Sequence, residues 1–139
     1  RDSDPRITRL FLDFKAEEQA YFKKTGIFPI MHLVGVRRPI VEQNPWLPHS
    51  VYGAFQEAKT IAMRRMADPA IAPLVWYGSA WDEERELLGP DPWEYGLTPQ
   101  NRKTLETMIG YSHAHGLIGR KMTVDELFID PAKSPPWQG

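Results

Sequence analysis

Apolar and polar positions alternate along this chain in several distinct rhythms. Asp13 stands where an N-cap would, ahead of a helix over Phe14–Thr25. Phe14, Tyr21 and Phe22 mark its inner face, and Glu17, Glu18, Lys23 and Lys24 its wet one. Gly26 follows at the position of a left-handed C-cap. Residues 27–36 then read IFPIMHLVGV, apolar on both faces and of strand length. That pattern predicts a strand buried on both sides. Pro29 cannot donate to a ladder, so it belongs near the strand start or at an edge. Arg37 and Arg38 end the run, and Pro39 stops further pairing.

Asn44-Pro45 is a helix start signal. Leu47, Val51, Phe55, Ala58 and Ala62 fall on one face of a helix reaching about residue 66. Asp68-Pro69 repeats the signal, and Ser79 is placed to cap a short helix ending at Gly89. Residues 89–99, GPDPWEYGLTP, form a turn-rich loop carrying two aromatics. Thr98-Pro99 opens the next helix, with Leu105, Met108, Ile109 and Ser112 inward and Gly116 at its end. Thr123 and Glu126 have the spacing of a capping box. Residues 1–130 are expected to fold as one unit, with residues 1–5 frayed and a Pro-rich, extended tail over 131–139. The sum is mostly helix with one strand, and no other run matches that strand in quality. A sheet needs neighbours, because its backbone groups must be paired. The neighbours are expected from upstream sequence missing here, or from another chain.

Composition narrows the function classes. The 139 residues carry 17 basic and 18 acidic side chains, a net charge of −1. No global field draws nucleic acid or an anionic membrane. The longest apolar stretch is too short for a membrane span. With no cysteine, disulfides, thiolate metal sites and cysteine nucleophiles are excluded. No Gly-rich phosphate loop, serine elbow or HExxH motif is present.

Three blocks of sequence carry a resemblance. Residues 21–59 join an aromatic pair to TGIFPIMH, an apolar run ending in paired arginines, NPW and VYGAF. Residues 91–106 read DPWEYGLTPQNRKTLE, and residues 115–128 read HGLIGRKMTVDELF. In order and spacing they resemble the C-terminal portion of the 4,5-dihydroxyphthalate decarboxylase family. That family is similar in fold to type II periplasmic binding proteins, whose two α/β lobes close around a small anion. The resemblance therefore implies an α/β class: part of a two-lobed fold, mostly helical in this segment, with one buried strand near the hinge. There are two departures. The family's N-terminal portion, which carries much of the cleft, has no counterpart here, and Glu94 replaces a proline of the tryptophan–tyrosine loop.

The resemblance implies a decarboxylase of an aromatic dihydroxy dicarboxylic acid, a step of aromatic compound degradation, releasing a catechol acid and CO2. It implies a cytoplasmic enzyme if no leader precedes it. The alternative is a periplasmic, non-catalytic solute-binding protein of an ABC-type transporter on the same fold. A third reading is a free-standing helical domain forming a homo-oligomer through its unpaired strand. The expected partners are a small aromatic carboxylate and the N-terminal part of the polypeptide. The cofactor is left open between a divalent metal ion and none.

Decarboxylation needs a proton donor to the ring carbon, cations to hold the remaining carboxylate, and a base or metal ion to polarise the catechol oxygens. His32 is the candidate acid or metal ligand, because imidazole titrates near neutral pH. Its competing reading is a core histidine with one satisfied hydrogen bond. Arg37 and Arg38 are candidates to clamp a carboxylate. Neighbours on a strand point to opposite faces, so at most one faces a cleft, and a solvated strand end is the alternative for each. Trp93 and Tyr95 are candidates to stack on an aromatic ring, or to anchor their loop. Asn101 and Arg102 lie in the first turn of a helix, Arg102 as a ligand contact and Asn101 more simply as a cap. His113 and His115, two apart near a helix end, make a weak metal pair.

Overall fold

The computed structural model describes residues 6–138. Among these described residues six α-helices run in order: α1 Phe14–Thr25, α2 Arg38–Gln43, α3 Leu47–Met66, α4 Tyr77–Leu88, α5 Pro99–Ala114 and α6 Val124–Leu127. Single 3-10 turns occupy Pro69–Ile71 and Pro131–Lys133. No strand occurs among the described residues. No helix among them is long and apolar enough to cross a membrane.

Local capping explains most of the boundaries. The Asp13 carboxylate accepts from the Ala16 N–H at 3.1 Å. Gly26, at φ 67°, donates back to the Phe22 carbonyl, so α1 stops where a left-handed residue can turn the chain. Thr98 Oγ1 accepts from the Asn101 N–H at the start of α5. At α6 the full capping box forms, with Thr123 and Glu126 satisfying each other's backbone donors. Gly116 holds φ 71° just beyond α5.

The expected strand is overturned. Residues 27–36 are extended, but only Ile27 is buried, and the segment from Pro29 to Pro39 is exposed throughout. A strand is stable only with backbone partners, and none lies beside it among the described residues. The run has strand character without a sheet to join. Its end also differs from expectation. Arg37, Arg38 and Pro39 open α2, with proline in the first helical turn where its missing N–H costs nothing. Asn44 then closes α2, its side chain donating to the Ile40 carbonyl at 3.1 Å. Helix α3 consequently begins at Leu47, with Pro48 in its first turn, a few residues later than the Asn44-Pro45 signal implied.

The core is small. Leu105 and Ile109 of α5 and Val124 of α6 form its buried centre, with Leu97, Ile118 and Phe128 packed around them. Met108, expected inward, is exposed. Polar ties hold the other helices. Lys15 and Gln19 of α1 both bind Glu83 of α4, and the Lys15 ammonium holds that carboxyl below its ordinary range. Lys103 donates to the Thr25 carbonyl at 2.6 Å, and Gln100 to that of Gly26, joining α5 to the end of α1. Trp137 of the tail lies 6.2 Å from Trp46 before α3.

Candidate functional site

The loop between α4 and α5 is held by hydrogen bonds of its own and from the first turn of α5. Asn101 reaches back from α5 and donates to the carbonyls of Glu94 and Gly96, both at 2.9 Å. It clamps the loop, while Thr98 acts as the cap. The Thr98 hydroxyl donates to Glu94 Oε2 at 2.8 Å. The departure at Glu94 thus supplies an acceptor to the loop's own network. Gly96 takes φ 92°, and a Cβ there would stand 3.4 Å from the Tyr52 ring. Only glycine meets both conditions cheaply.

Against this loop stands the second half of α3. Lys59 Nζ binds Asp91 at 2.6 Å and the Trp93 carbonyl at 3.1 Å, and lies 4.5 Å from the Tyr95 ring centroid. Its side chain is only 12% exposed. Phe55 meets Tyr95 edge-on at 6.4 Å. Phe55, Ala58, Ala62, Met63 and Met66 line an open groove that Trp93 and Tyr95 complete. The helical stripe read from the sequence is real, but its C-terminal half faces this groove rather than a closed core. Lys59 was not singled out by sequence. The available signal was its place four residues after Phe55, on the same helix face.

The six candidate residues do not converge. Trp93 and Tyr95 share the groove, and Phe28 packs edge-on against Trp93 at 5.2 Å. His32 lies further along the extended segment, exposed, and so is not a core histidine among the described residues. Arg37 caps α2 with its backbone and Arg38 begins that helix, both exposed. Arg102 is engaged elsewhere. Both arms of its guanidinium grip Asp125 of α6, at 2.7 and 3.2 Å. The pair holds the Asp125 carboxyl below its ordinary range and the guanidinium above its own. This geometry ties α6 to α5.

Among the described residues no group of three His, Asp or Glu side chains is arranged to hold a metal ion. His113 sits in the last turn of α5 and His115 just past it. What the chain presents is an aromatic groove holding the Lys59 ammonium, and beside it an extended segment that bears an imidazole at His32 and a guanidinium at Arg37, with a second guanidinium at Arg38 in the first residue of α2.

No protein-family model matches the chain. Over 126 residues it is 32% identical to the 4,5-dihydroxyphthalate decarboxylase of Comamonas testosteroni. The match takes in 89% of this chain and 38% of the relative, so the chain spans less than two fifths of that protein's length. The family that the motifs resembled is the one to which this chain is related by sequence, the 4,5-dihydroxyphthalate decarboxylases.

Proposed function

We propose that this chain is the C-terminal portion of a decarboxylase acting on 4,5-dihydroxyphthalate or a closely similar aromatic dihydroxy dicarboxylic acid. The observation that carries the reading is the similarity to the Comamonas enzyme across 89% of the chain. The fold of the whole would be the two-lobed, periplasmic-binding-protein-like α/β arrangement, with the substrate cleft shared between this chain and the remainder.

The chemistry asks little of any one residue. Each carboxylate of 4,5-dihydroxyphthalate is para to a hydroxyl, so the phenol oxygen pushes electron density onto the carbon that bears it. An acid delivers a proton to that carbon. The C–C bond to the carboxylate then breaks, CO2 leaves, and the bonding pair restores the aromatic ring. His32 fits the acid because an imidazole ring nitrogen can carry a proton and hand it to a carbon within reach. Arg37 or Arg38 fits the clamp on the carboxylate that stays, since guanidinium matches carboxylate in two-point geometry. Trp93 and Tyr95 offer ring faces for stacking. The His32 and arginine roles need the extended segment to be seated against the rest of the cleft.

The test is CO2 release from 4,5-dihydroxyphthalate by the complete gene product, with and without chelator, beside a His32→Ala variant. Turnover lost in the variant, with folding retained, is expected. Tight binding of the compound with no turnover would overturn the decarboxylase reading in favour of a solute-binding protein.

A further inference from the structure

Helices α3 and α4 face each other across a cavity that no residue role given above uses. Tyr77, Trp81 and Arg85 fall four apart on one face of α4, with Glu84 one position before Arg85. Together with Met63 and Met66 of α3 and Trp93 of the loop after α4, they line a space of about 210 Å³. Met63, Met66 and Trp93 are shared with the groove of about 390 Å³ that holds Lys59. Small-ligand sites commonly measure about 300–1,000 Å³. The rim is tied at three points. The Tyr77 hydroxyl donates to the Met66 carbonyl at 2.8 Å. Arg85 donates to the Pro90 carbonyl at 3.0 Å, and Lys59 to that of Trp93 at 3.1 Å.

The two charges of this cavity make opposite demands. Arg85 is half-buried, its guanidinium 5.3 Å from the Trp81 ring centroid. The Pro90 carbonyl takes one of its N–H groups, and no carboxylate of a described residue takes the others. Lys59, by contrast, is already paired with Asp91. Glu84 neither pairs with a cation nor accepts from a donor among the described residues, its neighbour Arg85 included. A guanidinium only donates, and a carboxylate only accepts. Successive helical residues diverge by about 100°, which sets the two groups apart. The rest of the lining is the ring surface of Trp93 and Tyr77 and the adaptable thioethers of Met63 and Met66. The complement is a flat molecule that carries an anion and, away from it, a donor.

We propose that this cavity takes a hydroxylated aromatic acid, with Arg85 paired to a carboxylate and Glu84 accepting from a ring hydroxyl. The choice of a hydroxyl over an ammonium as the donor rests on the decarboxylase reading. That reaction asks for electron density on the phenol oxygen, and a carboxylate that accepts from the hydroxyl supplies the polarisation. Guanidinium meets a carboxylate at two points, which fixes the ring as well as its charge. Trp93 also packs against Phe28, so the segment that carries His32 sets out from a wall of this cavity.

The test is calorimetric titration of the complete gene product with 3,4-dihydroxybenzoate, benzoate and catechol. The first should bind most tightly. Arg85→Gln should weaken the two acids about tenfold or more and spare catechol. Glu84→Gln should weaken the two hydroxylated compounds by a like factor and spare benzoate. A residue that only holds the fold would weaken all three together, and that outcome overturns the proposal, as does undiminished binding in both variants. Phenylalanine bound more tightly than 3,4-dihydroxybenzoate, and lost in Glu84→Gln, would make the donor an ammonium and overturn the hydroxyl. Should Arg85→Gln not fold, Arg85→Lys takes its place and should weaken the acids alone, because lysine lacks the two-point fork. CO2 release from 4,5-dihydroxyphthalate is measured separately. The crossed pattern without turnover counts against the decarboxylase reading alone, and turnover without the pattern counts against the proposal alone.

Discussion

Phe28 meets Trp93 edge-on, 5.2 Å between ring centroids. This contact joins the start of the extended segment to the loop before α5. Everything from Pro29 to Pro39 is exposed beyond it, so the pair is the last tertiary anchor before the chain leaves the folded body. Edge-to-face pairs add about 0.5–1.5 kcal/mol beyond area burial. Trp93→Ala should therefore destabilise the chain by about 1–2 kcal/mol, and Trp93→Phe by less. Chemical denaturation of the two variants measures the difference, and equal losses would deny the ring contact a role.

Lys59 binds Asp91 and the Trp93 carbonyl and lies over the Tyr95 ring. Lys59→Ala removes all three, and about 1–2 kcal/mol of stability should go with them. A double-mutant cycle with Tyr95→Leu isolates the ring term. A coupling of about 0.5–1 kcal/mol is expected, and a coupling of zero would show the ammonium to be held by its oxygen partners alone.

Acid should loosen the α5–α6 corner. The Arg102 guanidinium lowers the Asp125 carboxyl, and the Thr123 backbone donor with Arg120 lowers Glu126. A carboxylate with a depressed folded value contributes stability that is present above its unfolded value, about 4. That contribution is lost as pH falls through the depressed value. The melting temperature should fall below about pH 4, and Asp125→Asn should flatten part of that fall. An unaltered acid limb in the variant would show that the exposed pair adds nothing.

Gly96→Ala combines two penalties, a positive φ and a Cβ 3.4 Å from the Tyr52 ring. A loss of about 1–2 kcal/mol is expected from the backbone conformation. Tyr52→Ala should relieve the steric part and leave the conformational part. If Tyr52→Ala restores nothing, the close approach carries no energy.

His32→Ala should shift the stability of the isolated chain by less than about 0.5 kcal/mol, the usual range for surface positions. The side chain is exposed and leaves no packing to lose. A larger loss would return His32 to the structural role that its apolar setting in the sequence allowed.

What the sequence made legible was local. Asp13, Gly26, Thr98, Thr123 and Glu126 act over three or four residues, and each forms the cap that its spacing implied. What stayed hidden was long-range. The run over residues 27–36 has strand composition, but a strand is a relation between segments, and its partners are not among the described residues. Helix α2 was missed because Arg37, Arg38 and Pro39 read equally as a strand end and as a first helical turn. Lys59 was missed because Asp91 and Trp93 lie more than thirty residues away. Asp125 is likewise 23 residues from Arg102, so nothing local warned that this guanidinium was engaged.

The proline at each end of the exposed apolar run has a further effect. Residues 30–36 are mostly apolar, with three β-branched side chains and no Asp, Glu, Lys or Arg, a composition that favours stacking with copies of itself. Pro29 withholds a donor on one side, and Arg37-Arg38-Pro39 adds two like charges and a second missing donor on the other. Such flanks interrupt lateral growth and repel a second identical edge. The same short punctuation that fixes where α2 begins thus also guards an open edge against fibre formation while the chain is being made.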